Sequence, residues 1–142
     1  MGHEIFLQAH FQGGSQNIST SEVLECFSPF ITARKDAWIE LEFTETDSCT
    51  IYFDTTSQSI NHLMVSRPCG DNQLFRCIFL VMKLGNFVLF EPGVDRFIVL
   101  REEVIAHLPE GMAEALGEAR IAANWESFIE AYDSAWPGPK RN

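Results

Sequence analysis

Cys69 has the sequence surroundings that come closest to a chemical site. It lies in Pro68-Cys69-Gly70-Asp71, directly before a run of helical periodicity. A helix N-terminus lowers the pKa of a thiol placed there. Thiol chemistry would pair Cys69 with His62 or His107, but no spacing brings either to it, and a loop cysteine without a role is the simpler account. Carboxylates are paired at Glu40/Glu42 and Glu102/Glu103. On a strand the first pair shares one face about 7 Å apart. Paired acids cleave glycosides in deep clefts on larger frameworks, so a solvated sheet face explains this pair better. His3, His10, His62 and His107 share no ligand spacing with one another or with a cysteine, and no metal site is expected. Gly13-Gly14 and Gly70 make neither a dinucleotide fingerprint nor a P-loop. The sequence thus offers no catalytic residue, metal ligand or cofactor set.

The strongest pattern is a β-hairpin from Ala37 to Asp54, with arms Trp38-Ile39-Glu40-Leu41-Glu42-Phe43 and Cys49-Thr50-Ile51-Tyr52-Phe53-Asp54. Alternation sends Ile39, Leu41, Phe43, Cys49, Ile51 and Phe53 to one face. Trp38, Glu40, Glu42, Thr50, Tyr52 and Asp54 go to the other. A turn around Glu45-Thr46-Asp47 sets Phe43 opposite Cys49, Glu42 opposite Thr50, Glu40 opposite Tyr52 and Trp38 opposite Asp54. Two large aromatics among carboxylates suit a basic partner.

Around this hairpin, Glu4 to Gln12 reads as a first strand, broken by Gly13-Gly14-Ser15. A helix follows, capped by Ser19 with Glu22 three residues on and stopped at Pro29. Asn61 to Arg67 is a further strand, ended by Pro68. Asp71 caps a second, well-buried helix to Leu84, which carries Leu74, Phe75, Cys77, Ile78, Phe79, Leu80, Val81 and Met82, with Gly85 as its C′ residue. Phe87 to Phe90 reads as a central strand. In the tail, Phe97 to Leu100 and Arg120 to Ala123 read as short strands and Arg101 to Leu108 as helical. Pro109 opens another helical turn ending near Gly117. Asn124 caps a last helix with Trp125, Phe128, Ile129 and Tyr132 as its stripe. The expected fold is α+β: a mostly antiparallel sheet with a split βαβ (ferredoxin-like) core and one added strand, helices mainly on one face, and extra C-terminal helices. Residues 1–136 form one domain in this reading, and 137–142 a frayed end.

The second sheet face carries the acidic hairpin surface. If the last helix covered Trp38 and Tyr52, it would bury Glu40 and Glu42 at a cost. Exposed aromatics and a last helix packed elsewhere are therefore expected.

Bulk properties narrow the classes. The chain has 142 residues, 46% hydrophobic and 21% charged, a globular composition rather than a disordered one. Its 20 acidic against 10 basic residues give a net charge of −10. That opposes nucleic-acid binding and favours fast association with a basic protein. Cys26, Cys49, Cys69 and Cys77 have no CxxC spacing. No apolar run reaches membrane-span length, and Met1 to Gln12 lacks a basic n-region. Reduced thiols in a cytoplasm fit these facts.

Gly85-Asn86-Phe87-Val88-Leu89-Phe90-Glu91-Pro92-Gly93, followed by His107-Leu108-Pro109-Glu110-Gly111-Met112, resembles the second half of small acidic bacterial toxin-immunity proteins. The resemblance covers about a third of the chain and carries over no functional residue, and the N-terminal half matches no one immunity family. It implies a bacterial, cofactor-free protein that covers a basic toxin site with an acidic face. The expected function is non-enzymatic neutralisation of a basic partner by Trp38, Glu40, Glu42, Glu45, Asp47, Tyr52 and Asp54. Two alternatives stand beside it. One is a secretion chaperone or adaptor, although such chaperones begin with a helix and this chain with a strand. The other is a small-molecule-binding or thiol-dependent domain centred on Cys69.

Overall fold

Alternating burial along the first strand sets up the whole sheet. The computed structural model describes residues 4–135, so the expected frayed end at 137–142 and His3 lie outside the described residues. Strand β1 (Glu4–Phe11) buries Ile5, Leu7 and Ala9 on one face. Gln12 and Gly13 both take positive φ, 50° and 84°, the backbone of a two-residue type I′ turn. β2 (Gly14–Ser15) folds back on β1 through it. After β3 (Ile18–Ser19), helix α1 (Thr20–Phe27) starts where the Glu22 N–H donates to the Ser19 hydroxyl at 3.4 Å. It stops in one 3-10 turn containing Pro29.

Four strands of the main sheet then run in sequence: β4 (Ile31–Lys35), β5 (Trp38–Glu42), β6 (Ser48–Tyr52) and, after the short β7 (Ser59–Ile60), β8 (His62–Ser66). β3 and β7 pair apart from the main sheet. Helix α2 (Asn72–Met82) is capped by the Asp71 carboxylate, which accepts from the Gln73 N–H at 2.8 Å. β9 (Phe87–Phe90) and β10 (Arg96–Val99) form a hairpin. Two short helices, α3 (Glu103–Ala106) and α4 (Met112–Leu116), lead to β11 (Glu118–Ile121) and the final helix α5 (Trp125–Ala135).

The main sheet runs β11-β10-β9-β1-β8-β6-β5-β4, with β2 beside β1. Every pairing is antiparallel except β10 with β11. The fold is α+β, as the sequence implied. β8 and β9 are both antiparallel to β1, which lies between them, so β8–α2–β9 is a split βαβ unit. Four strands, rather than the expected three, join α1 to α2 in the main sheet. The one not foreseen is β4, an edge strand that buries no side chain fully.

The main core lies between the sheet and helices α1, α2 and α5. It includes Leu7, Phe27, Ile39, Leu63, Ile78 and Phe128. A smaller cluster of Val88, Phe97, Val99, Val104 and Leu108 lies on the opposite face, against side chains of α3 and α4. Helices therefore cover one face broadly and the other only at its β9-β10-β11 end.

Several local expectations are corrected. Leu80 is 41% exposed, so the buried stripe of α2 is narrower than its run of apolar residues. Gly85 takes no left-handed φ; its place follows from crowding, because a Cβ there would strike the Ile18 and Gln16 side chains. Pro109 does not open α4: Gly111, with φ of 86°, is its N-cap. β11 begins at Glu118, two residues before the expected Arg120, because the Glu118 N–H donates to the Asp95 carbonyl at 3.0 Å and begins the parallel ladder. Gly117 just before it holds φ of 101°, and a Cβ there would strike Asp95. Gly117→Ala is therefore expected to cost about 1–3 kcal/mol, read as a lowered urea midpoint.

Candidate partner-binding surface

The registers of five strands bring apolar side chains into one row on the less covered sheet face. Trp38 pairs with Tyr52, Tyr52 with Met64, Met64 with Phe6, and Phe6 with Phe90. The Phe6 and Phe90 rings stack at 5.5 Å. At about 4.8 Å per strand, the stretch from Trp38 to Phe6 spans roughly 14 Å. Tyr52 is 41% exposed; Trp38, Met64 and Phe6 are half-buried. A shallow recess of about 590 Å³ opens along this row, lined by Phe6, Tyr52, Met64, His62, Asp36 and Asp54 among others.

Polar groups flank the row on both sides. On one side, Glu40 pairs with Thr50, Thr50 with Ser66 and Ser66 with Glu4. Glu42 stands one strand repeat further, opposite Ser48. Asp36 and Asp54 border the recess on the other side. The row ends at Lys35, the cross-strand neighbour of Trp38, so a basic residue stands at one extremity of an otherwise acidic surround. Elsewhere, several cations are engaged within the fold. Arg34 donates to the Thr55 carbonyl at 3.0 Å and Arg101 to the Asn86 side chain at 2.7 Å, while Arg76 lies 5.0 Å over the Trp125 ring.

The hairpin register differs from the expected one by two residues. Trp38 faces Tyr52, and Glu40 faces Thr50. The turn sets this: the Phe43 N–H donates to the Asp47 carbonyl at 2.8 Å, and the Asp47 and Thr46 N–H groups donate to the Thr44 hydroxyl at 3.0 and 3.3 Å. Because strands have period two, an even shift leaves each of these residues on its expected face. Asp54 is the exception, since β6 ends at Tyr52. Its carboxylate instead accepts from the Thr56 N–H, the Thr56 hydroxyl and the Ser57 hydroxyl at 2.6–2.9 Å. These bonds hold it well below the usual carboxylate range, at about 2. Glu45 and Asp47 lie in the turn, beyond Glu42 and away from the Trp38–Tyr52 pair. The structure therefore groups Trp38 with Tyr52, strings Glu40 and Glu42 beside them, and sets Glu45 and Asp47 apart.

Phe6, Met64, Asp36 and Glu4 join this surface without having been singled out. The outward position of Phe6 was legible in the alternation of β1. Its proximity to Tyr52 depends on non-local pairing through β8, for which the sequence carries no local signal.

Helix α5 does not cover this face. It packs on α2: Tyr132 lies 4.5 Å from Phe75 between ring centroids, and Phe128 lies 5.4 Å from Phe79.

Neither histidine reaches Cys69. The His107 ring stacks on Phe11 at 5.0 Å and accepts from the Gln12 N–H at 3.0 Å. The His62 ring pairs with the Asn61 side chain at 2.8 Å. The neighbour of Cys69 is another thiol, Cys49. Among the described residues, no group of three or more His, Cys, Asp or Glu side chains could hold a metal ion, and no helix is long and apolar enough to cross a membrane.

Comparison with protein-family models, with curated proteins and with solved structures finds no match to this chain.

Proposed function

We propose that this protein is a non-enzymatic binding protein that covers a basic protein partner with the face carrying Trp38 and Tyr52. Its partner would be a toxin domain, and its action that of a bacterial immunity protein in the cytoplasm. The observation that carries this reading is the apolar row Trp38–Tyr52–Met64–Phe6, half open to solvent and flanked by Glu4, Glu40 and Glu42 on one side and Asp36 and Asp54 on the other. An apolar centre with a polar rim is the anatomy of a protein interface. Trp and Tyr are enriched among residues that dominate binding energy. The net charge of −10 supports steering toward a basic surface.

In this reading Glu40 and Glu42 act mainly on the encounter. The Glu40→Lys/Glu42→Lys variant should associate about tenfold or more slowly with the basic protein that the wild type retains, most clearly at low salt. Both side chains are exposed, so the fold should be kept. A folded variant with an unchanged association rate would remove the carboxylates from the interface.

A further inference from the structure

Four free thiols gather in one part of the main core. Cys49 and Cys77 are buried there, and Cys26 and Cys69 pack half-buried against the same cluster. Chain geometry brings Cys69 to Cys49. β6 and β8 are antiparallel with Thr50 opposite Ser66, and one more step along that ladder would set Cys49 opposite Arg67. Arg67 instead takes φ of 50°, a left-handed conformation uncommon for a non-glycine residue and incompatible with continuing the strand. The chain turns there, and two residues later the Cys69 thiol lies beside that of Cys49. The Asp71 backbone N–H, at the start of α2, also lies beside the Cys69 sulfur.

We propose that Cys69 and Cys49 form a peroxide-reactive pair, in which half-exposed Cys69 is oxidised first and buried Cys49 then closes an intramolecular disulfide with it. In the first step the Cys69 thiolate attacks one oxygen of hydrogen peroxide. The S–O bond forms, the O–O bond breaks, and the departing hydroxide takes a proton to become water. Cys69 is then a sulfenic acid. In the second step the Cys49 sulfur, giving up its proton, attacks the Cys69 sulfur. The S–S bond forms, the S–O bond breaks, and hydroxide leaves with that proton as water. Two thiols and one peroxide thus give one disulfide and two waters, with two electrons passing from sulfur to oxygen.

The neighbours assign the order of attack. The neighbouring Cys49 thiol and the Asp71 backbone N–H hold the Cys69 thiol below its ordinary value, against the opposing effects of burial and of the Asp47 and Asp71 carboxylates. Burial raises Cys26 to about 11 and Cys77 to about 12. Cys49 is raised as well, first by the Cys69 thiol beside it and then by burial. Cys69 therefore ionises before the other three.

The test uses the whole protein and hydrogen peroxide. With one equivalent of peroxide, peptide mapping should find Cys49 joined to Cys69. Cys69→Ala should lose the rapid peroxide consumption. Cys49→Ala should stop at a sulfenic acid trapped by dimedone. Before oxidation, iodoacetamide at pH 7 should label Cys69 first, about fivefold faster than an ordinary exposed thiol. Its larger thiolate fraction outweighs its lower intrinsic nucleophilicity. The proposal fails if Cys69→Ala consumes peroxide as fast as wild type, or if Cys69 is found bonded to Cys77. Should Cys49→Ala not fold, ordinary alkylation of wild-type Cys69 with no Cys49–Cys69 bond would overturn it equally.

Discussion

Phe128→Ala is expected to lose about 3–5 kcal/mol of stability, the range for removing a large buried aromatic. Phe128 is fully buried, with its ring 5.4 Å from Phe79 and 6.1 Å from Trp125. The substitution empties a space between α5 and α2 bordered by Phe79 and Trp125, and a close-packed surround relaxes only partly into such a space. Urea denaturation should show the loss as a lower midpoint at unchanged slope. Trp38→Ala, on the half-open face, should cost clearly less. This contrast bears on function, because α5 leaves the Trp38 face free only if it is held in the core by Phe128 and Tyr132. An unchanged midpoint for Phe128→Ala would mean that α5 does not contribute to that core.

Trp38→Ala and Tyr52→Ala should each weaken partner binding by about 2 kcal/mol or more, roughly thirtyfold in Kd. The two side chains are direct cross-strand neighbours at one end of the apolar row, so each removes area on which the other packs. Their effects should therefore be non-additive. Dissociation should carry most of the change, and the change should persist at high salt. The loss from Glu40→Lys/Glu42→Lys should instead lie in association and fade as salt screens it. Observing the two signatures on separate variants would divide the surface into apolar anchors and steering charges. Unaltered dissociation of folded Trp38→Ala would place the binding surface elsewhere.

The sequence carried most of what is local. Ser19, Asp71 and Asn124 cap helices as their spacing implied; the Asn124 side chain accepts from the Ser127 N–H at 2.8 Å. Period-two alternation assigned the hairpin faces correctly, and those assignments survived an even slip in register. Three features were missed, and only that at Asp54 had a local cause. Strand β4 was missed because Ile31-Thr32-Ala33-Arg34-Lys35 sits at the sheet edge, where one-sided burial leaves no strong alternation. Asp54 looked like a strand residue until Thr56 and Ser57 captured its carboxylate. The addition of Phe6 and Met64 to Trp38 and Tyr52, and the meeting of Cys69 with Cys49, depend on how distant strands pair and on the backward turn at Arg67.

In the proposed function the Trp38–Tyr52 face holds a basic protein partner. The direct measurement is affinity capture from the protein's own cells at low and high salt, with wild type, Glu40→Lys/Glu42→Lys and Glu102→Lys/Glu103→Lys run side by side. The third protein makes the same charge change at exposed residues around the start of α3, at the end of this face far from Trp38. Wild type should hold one basic protein in stoichiometric amount, weakened by salt; the Glu40/Glu42 variant should lose it and the Glu102/Glu103 variant should keep it. A wild type that retains no basic protein, or a Glu40/Glu42 variant that retains as much as wild type, would contradict it.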